Sequence, residues 1–245
     1  MKDLPDLREG SREFFDALER GRYTGDDFIP SLVRFERWKG KTVLEVGCGM
    51  GGDLIQFARA GAGVCGMDLS FRSIALAKRW LNLERLQGFL FQADAEDLPF
   101  QDDSFDLVYS WGVLHHTPEV SKAVREMIRI CKKGGEIFAM LYHRHSLVAL
   151  QVWLRYGLLR GKPFLGLRRL LAEHMENPGT QAFTREEAFA LFSGLEEVRL
   201  RTIVTRYDLR VGRRRFLPRF LRRLVPSSLG WFLIVRAKKP NEWTG

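Results

Sequence analysis

From residue 42 to residue 142, short apolar runs alternate with longer amphipathic stretches. Apolar and β-branched residues gather at 42–46, 63–68, 89–92, 105–110 and 136–142, each run short enough for a single strand. Between them, residues near 52–60, 70–86 and 119–131 carry helical spacing. In the second of these, Ser70 supplies a cap and Ile74, Ala77 and Leu81 fall on one face. Gly61 suits a left-handed end to the first. Thr117-Pro118-Glu119 opens the third, with Thr117 as cap and Pro118 at the first helical position. This β-α-β-α alternation predicts an α/β fold, a parallel sheet with helices on both faces.

The flanks read differently. Residues 1–41 are a helical lead-in, with Phe14, Phe15 and Leu18 at helical spacing. Residues 143–190 leave the alternation and predict a helical cap, within which Thr184 and Glu187 form a capping-box signature. Strands follow at 197–204 and 231–237, separated by RYDLRVGRRRFLPRFLRRLVP at 206–226. There is no internal repeat. The expected organisation is one domain over 1–245: lead-in 1–41, core 42–142, cap 143–190, and C-terminal strands with a basic connection at 191–245.

Composition adds three constraints. With 245 residues, 45% of them hydrophobic, and 18 Phe and 6 Trp, the chain can fill a substantial core. Its start, MKDLPDLREG, lacks the apolar centre of a secretory signal, and no apolar run approaches the ~18 residues of a membrane helix. Cys48, Cys65 and Cys131 are scattered without metal-ligand spacing and read as small buried hydrophobes. A cytoplasmic location and no bound metal are expected. The formal charge of +9 is uneven: residues 1–141 hold 19 Lys+Arg against 22 Asp+Glu, and residues 142–245 hold 20 against 8.

Candidate chemistry begins at residues 43–53, VLEVGCGMGGD. Gly47, Gly49 and Gly52 match G-x-G-x-x-G, and Asp68 ends the next strand. Glycines let the backbone approach a ligand, and an acid at the second strand tip accepts from ribose hydroxyls. These features alone fit a dinucleotide site as well as one for S-adenosylmethionine. Four more favour the second. Glu45 stands two residues before the first glycine, where it can organise the turn. Asp94 follows the third strand in QADAEDLPF. The fourth run, DSFDLVYSWGVLHH, enters a cluster of aromatics and histidines. Gly134-Gly135 leads into a fifth strand.

On these residues the chain, over about 38–142, resembles the class I S-adenosylmethionine-dependent methyltransferases, in particular the quinone-type and small-molecule branch. The resemblance implies a Rossmann-like, seven-stranded, mostly parallel sheet with an antiparallel last strand. It implies that Gly47 and Gly49 approach the amino-acid part of S-adenosylmethionine and that Asp68 binds both ribose hydroxyls. Leu69 would pack near the adenine, Asp94 and Ala95 would meet its edge, and Ser110 and Trp111 would line the methionine end. S-adenosylhomocysteine would be the product.

The sulfonium donor is already activated, so positioning does most of the work and can supply ~7–11 kcal/mol of the barrier. A base is needed only if the acceptor loses a proton. His115 and His116 follow the fourth strand; Tyr142, His143 and His145 follow the fifth. His116 is the first candidate base and His143 the second, against the alternative that such histidines cap or pack.

The acceptor would be read by elements outside the shared sheet. Phe14, Phe15, Tyr23, Phe28, Trp153, Tyr156, Phe164 and Phe183 either line an apolar pocket or pack the lobe. Residues 206–223 hold eight Arg and one Asp. From Pro218 a short helix would put Phe220, Leu221 and Leu224 on one face and Arg219, Arg222 and Arg223 on the other. It can pack on the sheet edge, lie on an anionic membrane or bind nucleic acid. Against nucleic acid, Ser110-Trp111-Gly112-Val113 stand where base-amino methyltransferases place Asn or Asp, two prolines and an aromatic. The expected function is methyl transfer to a small, partly apolar acceptor. The alternatives are a lipid or quinone acceptor at a membrane surface, RNA, an NAD-linked oxidoreductase and a non-catalytic cofactor-binding protein.

Overall fold

The computed structural model describes residues 7–175, 177–211 and 215–243, without the side chains of residues 211, 215 and 219. Helices α1 (Arg12–Gly25) and α2 (Ile29–Val33) lead in. The core then alternates β1 (Thr42–Val46), α3 (Gly52–Arg59), β2 (Gly63–Asp68), α4 (Phe71–Leu83), β3 (Phe89–Gln92), β4 (Phe105–Trp111), α5 (Val120–Ile130) and β5 (Cys131–Tyr142). Helices α6 (Leu147–Val152), α7 (Leu167–His174) and α8 (Arg185–Leu191) follow, then β6 (Glu196–Ile203), a small hairpin of β7 (Arg210–Val211) and β8 (Arg215–Phe216), and β9 (Phe232–Lys238).

Seven strands form one sheet in the order β3-β2-β1-β4-β5-β9-β6. The first five pair in parallel, and β9 is antiparallel to both β5 and β6. A hairpin strand inserted between β5 and β6 distinguishes this sheet from the all-parallel 3-2-1-4-5-6 order of dinucleotide folds. Three predicted strands match the observed bounds; β5 begins earlier than read, at Cys131, because the Gly134-Gly135 pair lies within the strand rather than before it.

Period-two alternation explains the two cores. Val43, Val64, Leu107, Tyr109 and Phe138 face helices α1 to α4, α6 and α7. Leu44, Val46, Val108, Ile137 and Ala139 face α5 and α8. Two of the caps read from sequence are present: Ser70 Oγ accepts from the Ser73 N–H, and Thr184 and Glu187 close a capping box on α8. Thr117 does not cap α5, which starts at Val120 after Glu119, because Thr117 and Pro118 follow the 3-10 turn Leu114–His116 instead. Ser11, not read from sequence, caps α1.

The basic connection departs from its expected form. Residues Arg219–Leu224 are a 3-10 segment, not an amphipathic α-helix, and Phe220 and Leu224 are 67% and 75% exposed. Eclipsed i,i+3 side chains and two flanking prolines explain why the stretch does not lay one apolar face on the protein. Arg213 and Arg214, part of that reading, lie outside the described residues. No helix among the described residues is long and apolar enough to cross a membrane.

One buried acid anchors this connection to the sheet rim. Asp208 Oδ2 accepts from the Thr205 N–H (2.7 Å), the Thr205 hydroxyl (3.0 Å) and the Trp231 N–H (3.1 Å). Burial nevertheless pushes its carboxyl from 3.8 up to about 6. The folded state thus holds a proton that the unfolded chain has released between those values, so stability falls as pH rises through this window, by on the order of 2–3 kcal/mol. Urea denaturation at several pH values is expected to show Asp208→Asn lacking that part of the slope.

Candidate functional site

The glycine turn after β1 lies against the loop after β4. Gly47 has φ +76°, and a Cβ there would come within 2.1 Å of Val113 Cγ2. Only glycine fits that position. The Gly47 and Cys48 N–H groups both donate to the Met67 carbonyl at 2.8 Å, which fixes the turn to the end of β2. Gly49 has φ +53°, and a Cβ there would meet nothing within 4 Å, so its outer side is open to a ligand.

Asp68 extends this frame. Its Oδ2 accepts from the Gly49 N–H (2.9 Å) and its Oδ1 from the Ser70 N–H (2.8 Å). Leu69 and Phe71 beside it are each 70% exposed, an apolar ledge where a flat ring could rest. Asp94 is exposed at the tip of β3 and accepts from the Glu96 N–H (2.9 Å), while Ala95 is buried. Ser110 is buried and its hydroxyl donates to the Val46 carbonyl (3.1 Å), fastening β4 to β1. Trp111 lies among Tyr109, Phe138, Phe28 and Phe232, with the Arg22 guanidinium 5.7 Å from its ring centroid. The structure therefore arrays Glu45, Gly47, Gly49, Asp68, Leu69, Asp94, Ala95, Ser110 and Trp111 along the carboxyl ends of β1 to β4.

Beneath the turn lies a network that the motif reading passed over. Asp53, in the first turn of α3, is fully buried and accepts from Arg22 Nε (2.8 Å), the Tyr23 hydroxyl (2.8 Å) and the Tyr109 hydroxyl (2.7 Å); Arg22 Nη2 completes a bidentate pair. Burial raises the Asp53 carboxyl, but Arg22 and the two phenols outweigh it and hold the group below its usual value. Glu45 lies nearby on β1. Burial and the Asp53 charge push it well upward, so Asp53 holds the negative charge of this pair. Glu45 Oε2 is buried with no hydrogen-bond partner. The sequence signal was Asp53 itself, a second acid after Glu45, closing a glycine-rich motif.

The histidines separate by environment. His115 is fully buried, its ring 3.7 Å from Tyr142, and burial followed by His116 holds it well below its ordinary pKa. His116 is partly exposed, with Nδ1 3.1 Å from Thr180 Oγ1. The Thr180 hydroxyl donates to the Asn177 carbonyl (2.7 Å), so its oxygen accepts from His116 Nδ1–H and a neutral His116 carries its lone pair on Nε2. His143 at the tip of β5 donates Nδ1–H to the Gly230 carbonyl (3.1 Å) and is only 2% exposed; burial lowers its pKa. His145 is exposed, and its ring lies 6.0 Å from that of His143.

The aromatics proposed for a pocket divide. Phe14 and Phe15 are core residues, with Phe15 stacked on Trp80 at 4.8 Å, and Phe183 is buried. Tyr156 stacks on His174, and Phe164 is 99% exposed. Trp153 does line a cleft of about 440 Å³, with Leu147, Leu150, Leu165, Leu167 and Leu229, just beyond the tip of β5.

Known proteins match this arrangement. Residues 44–139 match the family model described as a methyltransferase domain. Phthiotriol/phenolphthiotriol dimycocerosates methyltransferase of Mycobacterium tuberculosis is 32% identical over 180 residues, 69% of this chain and 64% of that protein. Chloroplastic tocopherol O-methyltransferase of Arabidopsis thaliana is 37% identical over 128 residues, 48% of this chain and 36% of that protein. The chain thus spans less than two thirds of either relative's length. Among solved structures, the YcgJ protein of Bacillus subtilis has the same fold at TM-score 0.62 and 17% identity, covering 89% of this chain and 100% of that one.

The Arg22–Asp53 pair is expected to control stability of the whole rim. Arg22→Met leaves Asp53 buried without its cation and should cost about 3–5 kcal/mol in urea denaturation; adding Asp53→Asn should recover a large part. The turn, the strand order and the match of residues 44–139 to the methyltransferase-domain model agree, and in these features the chain is similar to the class I S-adenosylmethionine-dependent methyltransferases.

Proposed function

We propose that this chain transfers a methyl group from S-adenosylmethionine to a small, largely apolar acceptor. The observation that carries the reading is the apolar cleft of about 440 Å³ placed immediately after His143, on the same rim as the glycine turn. The protein's residues suit the donor. Glu45 Oε2 is a buried acceptor without a protein partner, which a ligand ammonium would satisfy. The open side of Gly49 admits a close backbone approach, and Asp68 is positioned for ribose hydroxyls. Leu69 offers a surface for adenine, with Asp94 and Ala95 at its edge. Ser110 holds the seam beneath, and Trp111 closes the methionine end together with Arg22.

S-adenosylmethionine supplies an activated methyl on a sulfonium. The chain's contribution is alignment and exclusion of water. Where the acceptor must release a proton, His116 Nε2 is the base in this proposal, its tautomer set by Thr180. His143 is second, because its ring is buried and tied to Gly230.

A lipid-like acceptor drawn from a membrane surface is the second reading. Phe216, Leu217, Phe220 and Leu224 are exposed within an arginine-rich connection, and Leu159 and Phe164 are exposed on the cap. Apolar side chains beside cations suit peripheral contact with an anionic bilayer. The mycobacterial relative carries dimycocerosates in its name, in keeping with an apolar acceptor.

Incubation with methyl-labelled S-adenosylmethionine and a host extract tests both readings. Label in the organic fraction supports the lipid acceptor, and label in the aqueous small-molecule fraction supports the soluble one. Label confined to protein or nucleic acid would overturn both. With an acceptor in hand, His116→Ala is expected to lower kcat by roughly 10²–10⁴-fold while leaving S-adenosylhomocysteine affinity unchanged. Unchanged kcat in both His116→Ala and His143→Ala would remove the base from the mechanism.

A further inference from the structure

The outer edge of the sheet carries charge that methyl transfer does not use. β6 is the edge strand, and residues 219–230 run beside it, with Gly230 so close that a Cβ would stand 2.3 Å from the Ile203 carbonyl carbon. Covering an edge in this way shields its unpaired backbone groups. Between the strand and its cover opens a cleft of about 470 Å³. Arg185, Arg201, Arg222 and Arg223 line it with Thr202 and Ser227, and no carboxylate is among its lining residues.

The arginines are incompletely matched. Arg222 donates through Nη1 to Asp27 (3.1 Å) and its side chain is 14% exposed, yet its Nε and Nη2 are buried with no acceptor. Arg185 gives Nη2 to the Leu200 carbonyl at 3.2 Å. Arg201 and Arg223 are exposed and form no ion pair among the described residues. Asp27 and the nearby Asp26 carboxylate balance Arg222, which leaves the exposed Arg201 and Arg223 as the guanidinium groups that a ligand would complete.

We propose that this cleft binds a phosphate-type oxyanion. The guanidinium groups of Arg185, Arg201 and Arg223 and the hydroxyls of Thr202 and Ser227 exceed what the two oxygens of a carboxylate can use, whereas a phosphoryl group offers three acceptors and close to two negative charges. The site lies at the carboxyl end of β6, two strand spacings or about 10 Å from β5. A phosphate held there belongs either to a lipid headgroup or to a free phosphorylated molecule. The inference stands apart from methyl transfer, because its readout is anion binding.

The test titrates inorganic phosphate into the full chain by calorimetry and floats the chain with vesicles of phosphatidylglycerol in phosphatidylcholine, or of phosphatidylcholine alone. Arg201→Gln/Arg223→Gln removes two exposed cleft arginines without touching the buried Arg222. Lys122→Gln/Arg125→Gln, on the exposed face of α5, removes equal charge elsewhere. The expected result is phosphate binding weakened roughly tenfold or more by the cleft variant alone. Flotation with the anionic vesicles that the cleft variant loses and free phosphate inhibits assigns the phosphate to a lipid. Phosphate binding without flotation assigns it to a soluble molecule. No phosphate binding by the native chain, or equal effects of the two variants, overturns the proposal. S-adenosylhomocysteine binding, measured alongside, reports separately on the methyl-transfer site.

Discussion

The carboxylate of Asp53 is the point on which this architecture turns. It belongs to the helix that follows the glycine turn, yet its partners come from two distant parts of the chain: Arg22 and Tyr23 from the lead-in helix, and Tyr109 from the central strand β4. A fully buried carboxylate is tolerable only when its oxygens are saturated and its charge is matched. Both conditions are met here, by two phenols and one bidentate guanidinium. The lead-in is therefore fixed to the turn by polar requirements as well as by the packing of Phe14 and Phe15. Tyr23 also donates to the Gly52 carbonyl (3.2 Å), so the same contact holds the end of the turn.

That arrangement sets the electrostatics of the rim beside the glycine turn. Two carboxylates, Glu45 and Asp53, share one low-dielectric neighbourhood served by a single guanidinium. Arg22 pairs directly with Asp53, which keeps its charge, and Glu45 is pushed toward its neutral form. A cationic group arriving beside Glu45 reverses that balance, since it supplies the charge that burial alone withholds. Trp111, under the Arg22 guanidinium, joins the network to the aromatic layer beneath the cap.

The parts of the fold legible in sequence were those governed by local rules. Strand period, Ser70 and Thr184 caps, and the glycine spacing each depend on a few adjacent residues, and β1 to β3 fall at their predicted bounds. Arg22 and Asp53 are 31 residues apart, so nothing in the spacing of either predicted the other. Likewise, the alternation of Phe220, Leu221 and Leu224 with arginines suggested a packed amphipathic helix. Prolines at 218 and 226 confine it to a 3-10 segment whose Phe220 and Leu224 stay in solvent. The role of Thr180 was illegible for the same reason as that of Arg22: it meets His116 across 64 residues, and only the folded geometry shows which ring nitrogen is the donor.

Strand direction explains why the less predictable segments gather together. With β6 parallel to β5 and β9 returning between them, the loops after β1, β4, β5 and β6 all emerge on one rim. The glycine turn, the histidines, the apolar cleft and the arginine cleft are therefore neighbours by topology, although they are spread over 180 residues of sequence. The first two are built on strands paired on both sides and are held rigidly. The last two are built on the cap and on the covered edge strand, where register and length can change without disturbing the central pairs. In such a layout the sheet sets the rigid part of the rim, and the edge and cap set the part beside it that varies.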